Sequence, residues 1–177
     1  MSWSKPHPST PRGLRPARRT VLASLLCLAG LSACGFQPVY APGGTGRALT
    51  GTVSVDSPDT SYAFSLAQQL EIIFGPPVTP RYRLAFRVTT RSDRVAITAE
   101  QDTNRYNLIG QANYTLTDLS SDKVLRSGNV DSFVGYSASG TTVATLAAER
   151  DGYERLMTIL ADKIGSELLS APLEPAQ

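Results

Sequence analysis

The sequence is poor in the residues on which most enzyme chemistry rests. It has one histidine and two cysteines in 177 residues, and all three fall within the first 34 as His7, Cys27 and Cys34. It also lacks a long hydrophobic run. The longest, Val21 to Leu31, is too short to cross a bilayer as a helix. No acidic residue occurs among the first 33. Each absence excludes something once that leader is removed. A mature chain without histidine or a free thiol has no His-based triad, no cysteine nucleophile and none of the usual zinc ligand sets. With no second cysteine it forms no internal disulfide, even in an oxidising compartment.

What the leader does have is organised. Arg12, Arg15, Arg18 and Arg19 precede the apolar run, and Leu31-Ser32-Ala33-Cys34 follows it. A basic segment, a short apolar segment and small residues before a cut mark a secretory signal. Arg18-Arg19-Thr20-Val21-Leu22 has the outline of a twin-arginine signal, but a basic segment produces adjacent arginines readily, and ordinary Sec export is expected. A cysteine directly after the cut makes this a lipobox. Residues 1–33 are then a cleaved lipoprotein signal peptide, and Cys34 carries a thioether to diacylglycerol and an acylated amine. Several acyl chains on one residue give stable membrane anchoring where one chain would not. Gly35 stands where an aspartate would favour inner-membrane retention, so the expected location is the outer membrane, facing the periplasm.

Removing residues 1–33 leaves 144, enough for one domain with a real core. The basic balance of the whole chain, +2, belongs to the leader. The remainder holds 12 Lys and Arg against all 15 Asp and Glu, a formal charge of −3, which gives no reason to expect a nucleic-acid partner.

Residues 34–49 read as the lipidated start and a tether, because Ala41-Pro42-Gly43-Gly44-Thr45-Gly46 cannot sustain helix or strand. Thr52-Val53-Ser54-Val55 is a strand. Ala63, Ala67, Leu70 and Phe74 recur at helical spacing after turn residues at 57–61, with Thr60 or Ser61 as cap, until Gly75-Pro76-Pro77 ends the helix. In residues 81–91, Tyr82, Leu84, Phe86, Val88 and Thr90 alternate with Arg81, Arg83, Arg87 and Arg91, so one face meets a core and the other does not. The parity then slips at Ser92-Asp93 to Val95, Ile97 and Ala99, which predicts a turn or bulge there.

Arg105 to Thr117 is a second long strand, with Tyr106, Leu108, Ala112, Tyr114 and Leu116 on one face. A turn at 118–122 leads to a return strand, Lys123 to Tyr136, with Val124, Val130, Val134 and Tyr136 on one parity. The last element is a helix from about Thr142 to Leu169, with Leu146, Tyr153, Leu156, Leu160, Ile164 and Leu168 as its stripe and Gly152 an interior blemish. The expected domain is residues 50–170, with a frayed tail at 171–177. Its class is α+β: two layers, two helices on one face of a single mostly antiparallel four- to five-stranded sheet.

The arginines are the binding candidates. Arg81, Arg83, Arg87 and Arg91 share a strand face, with Arg94 and Arg105 nearby in sequence, and guanidinium forks suit phosphate. The alternative is a solvated face, or pairing with carboxylates of a partner. Asp93, Glu100, Asp102 and Asp131 lie near strand ends, but no spacing makes them a catalytic pair, and an enzyme is not expected.

Cys34-Gly35-Phe36-Gln37-Pro38-Val39-Tyr40 resembles the opening of mature lipoproteins of the LptE lipopolysaccharide-assembly family, particularly alphaproteobacterial forms, where C-G-F-x-P-x-Y is usual. Thr103-Asn104-Arg105-Tyr106-Asn107-Leu108, its run into Ala112 to Asp118, and the closing helix from Ala147 to Leu169 are similar to that family as well. The resemblance implies an outer-membrane lipoprotein that plugs the LptD β-barrel, helps it assemble and contacts lipopolysaccharide. It implies no catalytic residue, no metal and no cofactor beyond the covalent lipid. The competing function is an auxiliary lipoprotein of a lipid-trafficking ABC transporter.

Overall fold

The computed structural model describes residues 39–56, 58, 60–97, 103–139, 141–170 and 172–173. Residues 1–33, read above as a signal peptide, together with Cys34, the 35–38 stretch, Ala99, Glu100, Asp102 and the last residues of the tail, lie outside the described residues.

The elements run α1 (Thr45–Leu49), β1 (Val53–Val55), α2 (Ser61–Phe74), β2 (Tyr82–Ile97), β3 (Thr103–Asp118), β4 (Lys123–Ser139) and α3 (Thr142–Ser170). The four strands form one sheet in the order β1-β2-β3-β4. β1 runs parallel to β2, and the other neighbours are antiparallel. The fold is α+β, as the pattern of stripes and alternation predicts.

The helices cover one face. Leu66, Leu70 and Phe74 of α2 and Leu156, Met157, Leu160, Ile164 and Leu168 of α3 join Tyr82, Leu84, Leu108, Ala112, Tyr114, Leu116, Val130 and Val134 in a single core. Close approach depends on glycine. A Cβ on Gly110 would come within 2.9 Å of Leu156 and 3.1 Å of Leu160, and one on Gly165 within 3.1 Å of Ile73. These two glycines let α3 lie against the sheet and against α2.

Four local expectations change. Thr45–Leu49, at the end of the stretch read as a tether, is a turn of helix, and its Leu49 is fully buried in the core. β2 runs unbroken through Ser92 and Asp93, and the parity change falls two residues later, at a bulge between Arg94 and Ala96. A second irregularity sits between Leu116 and Thr117, where Arg126 and then Val124 are the partners. It reverses the parity of β4, so Val124 is exposed and Leu125 packs at the edge of the core. Leu146 is 60% exposed, because the first turns of α3 run ahead of the part that packs. Gly152 is buried against Tyr136, with room for ordinary contact at 3.7 Å.

Strand pairing defines the two ends of the sheet. Val53, Tyr82, Asp118 and Lys123 share one end, where the chain enters through α1. Ile97, Asn104 and Ala138 share the other, where α3 begins.

Candidate functional site

Because strand residues alternate, the face away from the helices carries Arg83, Ala85, Arg87, Thr89 and Arg91 from β2, with Arg81 just before it. Register places Thr117, Thr115, Asn113, Gln111 and Ile109 of β3 beside them, and Ser127, Asn129, Asp131 and Phe133 of β4 beyond. No described element covers this face. Its middle is an amide ladder, in which Gln111 Nε2 donates to Asn129 Oδ1 at 3.0 Å and Asn129 Nδ2 donates to Asn113 Oδ1 at 2.7 Å.

The candidate arginines do not act as one cluster. Residues four apart on a strand are separated by about 13 Å. Arg83 is committed: its Nε and Nη2 donate to Asp56 Oδ1 and Oδ2 at 2.8 and 3.0 Å, a fork that raises its already high pKa. Arg81 leans over the Tyr82 ring and lies 3.9 Å from Asp118. Arg91 pairs with Asp93 at 3.3 Å on its own strand. Arg94 is on the opposite, helix-side face, where its Nη2 donates to the Tyr106 hydroxyl at 3.0 Å and its guanidinium lies over that ring. Tyr106 in turn stacks on Tyr136, centroids 5.3 Å apart. Arg87 and Arg105 are on the uncovered face and have no ion-pair or hydrogen-bond partner among the described residues. They are far apart in the register: Arg87 of β2 stands opposite Asn113, and Arg105 of β3 stands opposite Ala96 near the far end of β2.

The partners Asp56 and Asp118 were not legible as such. Asp56 lies 27 residues from Arg83, and only the parallel pairing of β1 with β2 brings them together. Asp118 accepts from the Ser120 hydroxyl and backbone N–H and from the Ser121 N–H, and these bonds hold its carboxyl below the usual carboxylate range. Asp93 and Asp131 stand in different registers and form no pair. Among the described residues no group of side chains could hold a metal ion, and no helix is long and apolar enough to cross a membrane.

A family model described as "LptE: Lipopolysaccharide-assembly" matches residues 47–168. The chain belongs to the LptE lipopolysaccharide-assembly family. The LptE family is non-enzymatic, so this is a lipopolysaccharide-assembly lipoprotein of the cell envelope with no reaction to assign to its carboxylates. Solved structures share the fold. A lipoprotein from Caulobacter crescentus is 22% identical, with a TM-score of 0.62 over 71% of this chain and 93% of its own. A minor lipoprotein from Acinetobacter baumannii is 15% identical, with a TM-score of 0.55 over 71% and 98%. Rare lipoprotein B from Shewanella oneidensis is 12% identical, with a TM-score of 0.51 over 67% and 92%. A comparison with curated protein sequences finds no match.

Proposed function

We propose that this LptE-family chain is an outer-membrane lipoprotein, anchored through lipid on Cys34, that plugs an LptD-like β-barrel, helps it assemble and contacts lipopolysaccharide. Family membership carries the reading, because the matched segment spans nearly the whole packed domain. The lipobox at Leu31-Ser32-Ala33-Cys34 supports the anchor. The uncovered sheet face supports the plug. It is lined by amides, hydroxyls and arginines, which suits the polar lumen of a barrel. Arg87 and Arg105, the two candidates without internal partners, are the ones left to meet phosphate.

The deciding experiment is a mild-detergent pull-down of the tagged mature lipoprotein from membranes. A stoichiometric large β-barrel is the expected co-purifying protein. Recovery of an inner-membrane transporter component in its place overturns the reading in favour of an auxiliary transporter lipoprotein.

A further inference from the structure

The two edges of the sheet are not equivalent. β1 pairs with β2 only through Val53–Val55 against Tyr82–Leu84. Along that stretch the Tyr82 N–H donates to Thr52 O and Leu84 O accepts from the Asp56 N–H, so even-numbered β2 residues turn their backbone groups away from β3. The register with β3 is unbroken from Tyr82 to Arg94, so Phe86, Val88, Thr90 and Ser92 turn theirs the same way. No described backbone group pairs with these four on that side. The β4 edge is guarded: its outward Asp131 carbonyl accepts from Lys163 Nζ, reaching down from α3. A lysine on an edge is a common device against further pairing. Among the described residues β2 has no such guard from another element.

β1 also shows what a neighbour on this edge looks like. Val53 is buried and Val55 packs at the core, while Asp56, on the other parity, forks to Arg83. Where β1 leaves, the same surface continues. Phe86 and Val88 are half-buried at the rim of the core, and Arg87 repeats the position of Arg83 without an Asp56. The stretch ends at the bulge between Arg94 and Ala96.

We infer that the β2 edge from Phe86 to Ser92 accepts an extended segment of a partner protein that alternates apolar and acidic residues, added as a fifth strand in line with β1. Backbone pairing supplies the attachment, the apolar residues cover Phe86 and Val88, and a carboxylate meets Arg87 as Asp56 meets Arg83.

The test titrates the mature chain in mild detergent with a peptide of about seven residues alternating valine and aspartate. A valine–lysine peptide is the control. Saturable binding of the aspartate peptide is expected, with slowed amide exchange at Val88 and Thr90. Arg87→Glu is expected to weaken binding about tenfold, since attraction becomes repulsion across the pair. Thr90→Pro removes an outward N–H and leaves the bonds to β3 in place, so it is expected to abolish binding while circular dichroism stays unchanged. Should Thr90→Pro fail to fold, Arg87→Glu decides. Equal binding of the lysine peptide, protection along β4, or a dimer of the chain paired through β2 overturns the inference. Arg87 serves the lipopolysaccharide reading too, and Thr90→Pro separates them: it removes strand addition and leaves lipopolysaccharide binding intact.

Discussion

The Tyr114 hydroxyl donates a 2.6 Å hydrogen bond to Glu167 Oε2, fastening β3 to the C-terminal half of α3. The ring crosses Gly128 on β4, where a Cβ would meet it at 2.6 to 2.7 Å. One side chain thus joins three elements. Burial, then the bond to Glu167, pushes the phenol up to about 12.

Tyr114→Phe keeps the ring and loses the bond. The expected loss is about 1 kcal/mol, at the low end for a charged acceptor because Glu167 is exposed. The phenol is raised above its unfolded value of 10, so its contribution is full below pH 10 and fades as pH rises toward 12. Urea denaturation of both chains between pH 8 and 11.5 should show the wild-type advantage shrinking only above pH 10.

Two glycines at the helix–sheet interface should answer to alanine with opposite sign. Gly110→Ala drives a methyl into Leu156 and Leu160 and should cost roughly 1–3 kcal/mol. Gly152→Ala meets Tyr136 at an ordinary 3.7 Å and adds a better helix former, for a gain of up to about 1 kcal/mol. Thermal denaturation of the two variants reads both signs.

Asp118→Asn weakens the acceptor of the β3–β4 turn and should lower the melting temperature at neutral pH. The Asp118 pKa is lowered in the fold, so its stabilisation holds above the usual carboxylate range and is lost as pH falls through the folded value. The difference between the two chains should therefore close on acidification, and a constant gap would refute the turn argument.

Paired Arg87→Glu and Arg105→Glu substitutions should weaken lipopolysaccharide binding in a titration with purified ligand, with folding intact by circular dichroism. Arg83→Glu should matter less to the ligand and more to stability, because that guanidinium is already bound to Asp56. A larger binding loss at Arg83 than at the pair would reverse the assignment.

Cys34→Ala should leave a folded domain that no longer fractionates with membranes when its barrel partner is absent. Retention of that variant would contradict the lipid anchor.

Much of the fold was legible because period-two alternation in β2 and β3 and the stripe from Leu156 to Leu168 are each set by burial on one side. What was not legible depends on single inserted residues and distant partners. The bulge at Val95 and the one at Leu125 each reverse a parity, and a polar residue just before a bulge reads like the bulge itself. Leu146 keeps helical spacing, but spacing does not tell where a helix outruns its sheet. Among the arginines, residue type marked candidates. Which were free depended on Asp56 and Tyr106, set by register, and on Asp93, two residues from Arg91 on the same strand.

The length of the strands has a mechanical consequence. β3 alone has 16 residues, about 50 Å end to end, longer than the roughly 30 Å hydrocarbon layer of a membrane. The chain enters at one end of the sheet and α3 begins at the other, so the strands set the distance between these two ends. Deleting two residues from each of β2, β3 and β4 would keep the alternation in phase and bring the two ends about 7 Å closer.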